Sequence, residues 1–197
     1  MPHDLSQTLV FSNDTENNIA IAYEFFSTQL NDPKQRLCLF GKQVYYEAYE
    51  MVENKIVGFW HLITTTMTKL SILPCTNDVS YENCAGNCVT LSRLVEIKNE
   101  NETRAVCLYR ATHLPWIIDV IKLANEKNSF VNCWKLVDDR NRSKLYVRYK
   151  KGIADYILIF SDEKKYYRLL TAYPVFMVRD RQKFDMFQIK NAWIYSK

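Results

Sequence analysis

The chain has 197 residues, of which 48% are hydrophobic and 14% aromatic, so it can build one domain with a sizeable core. Its 4 glycines and 5 prolines exclude low-complexity and collagen-like classes, and 26 basic against 22 acidic residues give a net charge of only +4, which does not establish a polyanionic partner. The start of the chain has no secretory-type apolar run, and no stretch reaches transmembrane length, so we expect a soluble cytoplasmic protein without a membrane partner.

The first predicted element is a helix in "NDTENNIAIAYEFFSTQLNDP", residues 13–33, with Asp14 or Asn17 as its N-cap and Pro33 as its end. The short apolar run "RLCLF" predicts a strand. The next segment is rich in β-branched and aromatic residues on either side of a polar "ENK". This pattern predicts a hairpin with strands near 44–52 and 56–64.

The segment 67–106 has the loosest pattern, and we interpret it as an insertion peripheral to the core, with a second hairpin around "NENE". Without an export signal, the six cysteines of the chain should mostly be reduced. Cys75, Cys84, Cys88 and Cys107 could supply four thiolates to a structural zinc, but their spacing is not that of a usual zinc knuckle. The alternative is a set of scattered buried thiols.

The C-terminal half begins with a helix over 115–127, which has Pro115 in its first turn. Three apolar runs at hairpin spacing follow, "FVNCWKLV", "SKLYVRYKKG" and "ADYILIF", and then "YYRLLTAYPV" and a last helix near 180–193. They predict an antiparallel sheet of at least four strands over 130–175, packed against the helix. The predicted fold class is α+β, in a single domain spanning 1–197.

The last predicted strand ends with two hydroxyl-bearing side chains, Thr171 and Tyr173, which lie two positions apart and so on the same face. Thr and Tyr are ordinary strand residues, so the pair either belongs to an unremarkable sheet surface or faces a ligand. The chain contains no Walker-type loop, no Gly-x-Ser-x-Gly and no His-Glu-x-x-His. Any site must therefore be assembled from residues that are scattered along the sequence.

Three stretches of the chain carry a resemblance to a known family. In chain order they are "GFWHLIT" (58–64), "YRATHLPWIIDVI" (109–121) and "DYILIF…YYRLLTAYPV" (155–175). Together they resemble a family of phage- and prokaryote-associated proteins in the barnase–EndoU–colicin–RelE-like (BECR) nuclease group. The resemblance implies a BECR-like fold and a metal-independent endoribonuclease without a cofactor, in which the ribose 2′-hydroxyl attacks its own phosphodiester. It also implies RNA as the substrate, a role as a toxin or as a mobile-element or defence effector, and a cognate antitoxin or inhibitor protein as a further partner.

The resemblance implies roles for individual residues as well. His61 in "FWHL" would be the general base or acid, Arg110 would clamp a phosphate, and Thr171 and Tyr173 would hydrogen-bond that phosphate. Tyr173 could also stack under a base. Alternatively, His61 is a half-buried residue hydrogen-bonded within the sheet, and Arg110 is a surface ion pair. Further candidate substrate contacts are His113, Trp134 and, more weakly, Arg148.

Two other functions stay open from the sequence. One is a catalytically inactive module on the same fold that binds RNA or a protein, and the other is a nucleotide-transferring enzyme, for which no acidic catalytic residue can be placed. Convergence of His61, Arg110, Thr171 and Tyr173 on one cleft would favour catalysis. A His61 side chain that points into the core would favour the binding module.

Overall fold

A computed structural model describes residues 4–70, 93–137 and 142–190 of the chain, and these residues form an α+β fold. Helices and short strands occupy the N-terminal part, and four long strands followed by a helix occupy the C-terminal part. Among the described residues, no helix combines the length and the apolar character needed to cross a membrane. The predicted fold class is confirmed at the level of α+β.

Helix α1 (Thr15–Phe25) begins where its cap predicts. The Asp14 side chain accepts hydrogen bonds from the backbone N–H groups of Glu16 and Asn17, at 3.0 and 3.2 Å, and so satisfies donors that the first turn leaves without intrahelical partners. The helix continues into one π-helical stretch, Phe26–Leu30. Four side chains from these two segments are buried in the main core: Ile19, Ala22, Phe26 and Leu30.

Four short strands follow. Strand β1 (Cys38–Leu39) matches the strand predicted in "RLCLF", and β2 (Lys42–Tyr45) pairs with it antiparallel. Strands β3 (Met51–Val52) and β4 (Lys55–Ile56) form a separate small hairpin, whose two turn residues both adopt left-handed φ angles. The hairpin predicted around "ENK" therefore exists, but it is much shorter than predicted.

Helix α2 (Val57–Ile63) occupies the place where a strand near 56–64 is predicted, so that prediction is wrong. The β-branched and aromatic residues favour a strand by propensity, but the helix buries nearly all of its side chains, and tertiary packing outweighs propensity. Gly58 permits this packing, because a Cβ there would lie 2.7 and 2.8 Å from the backbone N and O of Glu47. His61 consequently lies on a helix beside Glu47 rather than in a sheet.

A three-stranded sheet forms next to α2, from β5 (Thr64–Thr66), β6 (Leu94–Ile97) and β7 (Glu102–Val106) in the order β5-β7-β6. A single helical turn, α3 (Met67–Leu70), follows β5. The pairing of β6 with β7 confirms the hairpin predicted around "NENE". Within the segment 67–106, which is predicted to be peripheral, residues 71–92 lie outside the described residues, and the inward side chains of this hairpin are buried. These are Val95, Ile97, Ala105 and Val106.

Two consecutive helices, α4 (Leu108–Thr112) and α5 (Pro115–Asn125), lead into the C-terminal half. Pro115 occupies the first turn of α5, as predicted, where its missing N–H costs no helical hydrogen bond. The buried face of α5 packs in the main core together with Leu145 and Val147 of the large sheet.

The large sheet contains the four predicted antiparallel strands, β8 (Val131–Val137), β9 (Ser143–Lys151), β10 (Ala154–Asp162) and β11 (Tyr166–Pro174). Both the sheet and its packing against α5 are confirmed. The prediction does not include β2, which joins β11 in parallel and extends the sheet to the order β1-β2-β11-β10-β9-β8.

The two faces of the large sheet are covered differently. The main core, with α5, lies on one face. On the other face, helix α6 (Val178–Lys190), predicted near 180–193, covers a smaller hydrophobic cluster. The buried members of that cluster are Trp134, Ile157, Val175 and Phe184. A cleft lined by residues of α6 opens on this second face.

Candidate functional site

The four residues assigned to one site by the sequence line a single cleft of about 550 Å³. His61 comes from α2, Arg110 from α4, and Thr171 and Tyr173 from β11. Side chains of β5, β7 and α6 complete the walls. Residues that are far apart in the chain are thus brought together, which is the arrangement expected of a catalytic cleft.

Strand β11 presents Thr171 and Tyr173 on the same face, opposite Ile159 and Ile157 of β10. The Thr171 hydroxyl oxygen accepts a hydrogen bond of 2.6 Å from Arg110, which leaves the hydroxyl hydrogen able to donate. Burial raises the pKa of Tyr173 to about 12, so the phenol stays protonated at neutral pH. The two hydroxyl groups are therefore neutral donors, suited to an anionic oxygen in the cleft.

Arg110 is buried, with 7% of its surface exposed, and it links the end of α2 to β11. Its guanidinium donates to the backbone oxygens of Thr64, His61 (3.0 Å) and Ala172 (3.2 Å), and to the Thr171 hydroxyl. The Arg110 Nε has no hydrogen-bond partner in the described part of the chain. No carboxylate in the described part of the chain forms an ion pair with the Arg110 guanidinium.

Arg110 therefore differs from the phosphate clamp that the resemblance implies, since most of its donors are bound to protein oxygens. Burial lowers its pKa, but a guanidinium remains protonated in proteins at neutral pH. Buried charges are normally paired. A buried cation without a carboxylate partner creates a positive potential at the base of the cleft, which attracts an anion.

His61 lies between two carboxylates. Its Nδ1 is 3.2 Å from a carboxylate oxygen of Glu47, and its Nε2 is 3.1 Å from one of Glu100. Glu47 also pairs with Arg168 at 3.0 Å, and Glu100 accepts a 2.6 Å hydrogen bond from the Tyr49 hydroxyl. The hydrogen bond from His61 lowers the pKa of Glu47, against the effect of burial, and the Arg168 charge lowers it further.

Both ring nitrogens of His61 can donate to these carboxylates only when the imidazole carries two protons. Glu47, His61 and Glu100 also offer metal ligands, with donor atoms within 4.8 Å of one another. However, the two carboxylates approach different nitrogens of the ring, and a single ion can bind only one of those nitrogens. The arrangement favours a hydrogen-bonded row over a chelate.

The cleft is lined by more basic than acidic side chains. The basic ones, besides Arg110, are Lys69, Arg104, Arg179 and Lys183, and the acidic ones are Glu100 and Asp180. Burial lowers the pKa of Lys69, and the nearby charges of Arg110 and Arg104 lower it further. These like charges repel one another in the free protein, so an anion in the cleft would relieve the repulsion.

Arg148 does not line the cleft. Its fully buried guanidinium forms two hydrogen bonds with Asp155, of 2.7 and 2.6 Å, and a third of 2.7 Å with Asp185 on α6. In place of the predicted substrate contact, Arg148 forms an ion-pair network that connects α6 to the sheet.

Trp134 is also placed away from the substrate surface. It is fully buried and stacks on Tyr146, with ring centroids 5.4 Å apart and an angle of 9° between the planes. Tyr146 lines the cleft, whereas Trp134 packs beside it on the neighbouring strand and does not line the cleft.

His113 is buried in the main core side of the molecule, between Trp116 and Tyr156, and is not part of the cleft. Its Nδ1 lies 2.6 Å from the backbone oxygen of Tyr109. Burial lowers its pKa to about 4, so the ring is neutral at pH 7. The predicted role as a substrate contact is not supported by this position.

His113 should make the fold acid-sensitive. Its folded-state pKa lies below the unfolded value, so the unfolded chain binds the proton more strongly and stability falls as pH drops from about 6.5 to about 4. The full loss corresponds to about 3 kcal/mol. In urea unfolding at pH 7, 5.5 and 4.5, His113→Gln should be less stable than the wild type at pH 7 but should lose less stability on acidification. Parallel pH profiles for the two proteins would contradict this assignment.

The proposed zinc ligands cannot be placed as a set. Cys75, Cys84 and Cys88 lie outside the described residues. Cys107 is buried immediately before α4, where its backbone N–H donates to the backbone oxygen of Ile63 at 2.8 Å.

Glu47 and Glu100 were not among the predicted site residues, although both contact His61 directly. Neither occurs in a recognisable motif. The only available signal is the close-packing Gly58 three residues before His61, and its partner segment is not apparent from the sequence. Lys69 and Arg104 were missed for a similar reason, since they lie in the segment interpreted as peripheral.

No protein-family model matches the chain, and no curated protein or solved structure matches it either. The features that any function must explain are the donor pair on β11, the buried cation beneath it and the histidine held between two carboxylates.

Proposed function

We propose that this protein is an endoribonuclease on a BECR-like fold, which cleaves RNA without a metal by attack of the ribose 2′-hydroxyl on the adjacent phosphodiester. The observation that carries the proposal is the convergence of His61, Arg110, Thr171 and Tyr173 on one basic cleft. The resemblance implies that these four residues form one site, and their convergence in the fold supports that assignment.

The reaction forms a bond between the 2′-oxygen and phosphorus and breaks the bond from phosphorus to the 5′-oxygen. His61, paired with two carboxylates, is suited to give a proton to the departing 5′-oxygen. Glu100, which also lines the cleft, is suited to accept the proton of the 2′-hydroxyl. The dianionic intermediate would be stabilised by the hydroxyl groups of Thr171 and Tyr173 and by the charge of Arg110.

The direct test is incubation of the purified protein with total RNA in the presence of a chelator, followed by mapping of the ends. We expect cleavage to persist and to leave 2′,3′-cyclic phosphates and 5′-hydroxyl groups. Cleavage that stops in chelator and resumes with a divalent metal would reject the metal-independent mechanism. Products with 5′-phosphates would reject attack by the 2′-hydroxyl.

Thr171→Val should lower the cleavage rate by about 10²-fold, because it keeps the shape and strand propensity of the residue but deletes one donor to the intermediate. Single-turnover rates on a short RNA measure the effect. Thr103→Val on β7 is the matched control, since Thr103 is exposed and does not line the cleft. Equal cleavage rates for Thr171→Val and Thr103→Val would show that the Thr171 hydroxyl has no role in catalysis.

One observation favours a second candidate, a catalytically silent module that binds RNA or a protein. Both nitrogens of His61 and most donors of Arg110 are already occupied by protein groups, so the site is nearly complete without a substrate. Tight binding of RNA without cleavage of any RNA would support this function. In either case, a cognate inhibitor with an acidic surface would be expected to cover the basic cleft.

A further inference from the structure

Strand β8 lies at one end of the large sheet, and no strand of the described residues pairs with its outer edge. The Phe130 oxygen accepts a 2.8 Å hydrogen bond from the backbone N–H of Lys150, so the even-numbered residues of β8 direct their backbone N–H and C=O groups toward β9. The odd-numbered residues direct theirs outward. The Val131 N–H donates to the Asn128 oxygen at 3.0 Å, which leaves three outward N–H groups, those of Cys133, Lys135 and Val137.

The edge of β8 lacks the features that normally keep an exposed strand from pairing with another chain. The strand is 7 residues long, contains no proline and runs in uninterrupted register with β9. Its one charged residue, Lys135, does not protect the edge, because its ammonium reaches over β9 to the Asp162 carboxylate on β10, at 2.5 Å. The lysine is thus directed back across the sheet and away from the edge.

The other sheet edges in the described part of the chain are short or blocked. Strands β1, β3 and β4 have 2 residues each, and β5 has 3. The remaining edge strand, β6, has outward groups occupied at both ends. The Leu94 oxygen accepts a hydrogen bond from the Arg93 guanidinium, and the Lys98 N–H donates to the Glu50 carboxylate at 3.0 Å. Among the described edges, β8 therefore differs in being both long and open.

The edge of β8 is complementary to itself. When a second copy is placed antiparallel with Trp134 opposite Trp134, Cys133 lies opposite Lys135 and Val131 lies opposite Val137, so outward groups meet along the whole strand. Cys133 and Lys135 then exchange two hydrogen bonds, the Val137 N–H donates to the Val131 oxygen, and the two-fold symmetry repeats each bond. A pair centred on Lys135 would oppose like charges. A pair centred on Cys133 would leave Val137, which is 63% exposed, beyond the paired segment.

We propose that this protein forms a symmetric dimer in which the β8 strands of two copies pair antiparallel about Trp134 and join the two large sheets into one. A second copy fits this edge because the same strand supplies an acceptor for each outward N–H, keeps the lysines apart and covers the exposed Val137 with Val131. The inference goes beyond the proposed function and does not depend on it, since no residue of β8 lines the cleft. The two-fold axis is perpendicular to the joined sheet, so both clefts open on the same face.

Sedimentation equilibrium of the full chain over about 1–200 μM measures the association. We expect the wild type to reach twice the mass of the chain. Lys135→Pro should weaken the dimer by about 10–100-fold, because each copy loses one outward N–H while its hydrogen bonds to β9 are kept. Lys135→Ala is the matched control, since it removes the same ion pair with Asp162 but keeps the N–H, and it should associate as the wild type does. A wild-type protein that stays monomeric over the whole range would overturn the proposal.

A second variant and a second measurement apply even if Lys135→Pro disturbs the strand. Val137→Lys changes an exposed side chain and should weaken the dimer by about 10-fold, because it places a charge against Val131 of the second copy. In amide hydrogen exchange followed by NMR, the N–H groups of Cys133 and Lys135 should exchange slowly at high protein concentration and faster on dilution. The Trp134 N–H, which faces β9, should exchange slowly at both concentrations. Fast exchange at Cys133 and Lys135 in a dimeric wild type, or equal association of Lys135→Pro and Lys135→Ala, would overturn the β8 pairing.

Discussion

Replacing His61 by alanine is expected to lower the rate of RNA cleavage by about 10²–10⁴-fold, the range associated with loss of one positioned acid or base. His61 is the only cleft-lining histidine among the described residues, and it is held on both sides by carboxylates. The rate is best measured under single-turnover conditions in chelator, so that neither product release nor a contaminating metal-dependent nuclease affects it.

The fold should survive this change, because Arg168 and Tyr49 continue to pair with Glu47 and Glu100 after the imidazole is removed. Circular dichroism and thermal unfolding check that point. His113→Gln, purified in the same way, is the matched control, since it removes a histidine that does not line the cleft. A folded His61→Ala protein that cleaves RNA at the wild-type rate would place the chemistry elsewhere.

Asp155→Ala should destabilise the protein by about 3–5 kcal/mol, the cost of removing one partner from a buried ion pair. The Asp155 side chain is 2% exposed, and its carboxylate provides two of the three hydrogen bonds made by the Arg148 guanidinium. Without it, Arg148 is left fully buried with only the partner on α6. Urea denaturation followed by tryptophan fluorescence at pH 7 measures the change in the free energy of unfolding.

Asp185→Ala is the matched control, because its side chain is 41% exposed and it interacts with the same guanidinium. We expect a loss of about 1 kcal/mol or less. The double variant Arg148→Met, Asp155→Leu should recover most of the stability lost in Asp155→Ala, since a buried ion pair can often be replaced by apolar groups of similar volume. A loss of similar size in Asp155→Ala and Asp185→Ala would contradict this prediction, because it would show that the buried Arg148–Asp155 pair contributes no more stability than the exposed Asp185 contact.

The C-terminal half of the fold follows closely from sequence patterns. Its four strands are separated by polar sequence segments, and α5 begins with Pro115, so local signals and tertiary structure agree there. At α2 they disagree, because its residues have strand propensity but are packed on nearly all sides. Parallel pairing of β2 with β11 could not be predicted, since it depends on a contact between distant segments and leaves no local signal.

The candidate site also contains residues that could be predicted from the sequence and residues that could not. Thr171 and Tyr173 were predictable because alternation along a strand fixes which residues share a face. The partners of His61 were not, because Glu47 reaches it through the close approach at Gly58 and Glu100 through the β6–β7 turn. Arg148 was misplaced because a basic residue on a strand gives no indication of a buried Asp155 on the neighbouring strand.

The parallel pairing of β2 with β11 has a consequence during synthesis on the ribosome. This part of the sheet can form only after both of its strands have been synthesised. Its register partners are Gln43, Val44 and Tyr45 on β2 and Tyr166, Tyr167 and Arg168 on β11. Contacts of such long sequence separation form late, because the intervening chain must first be synthesised and its loop closed. The nascent chain therefore cannot assemble the cleft until β11 and α6 have emerged. A nuclease built in this order would have no active geometry while only the segments before β11 have been synthesised.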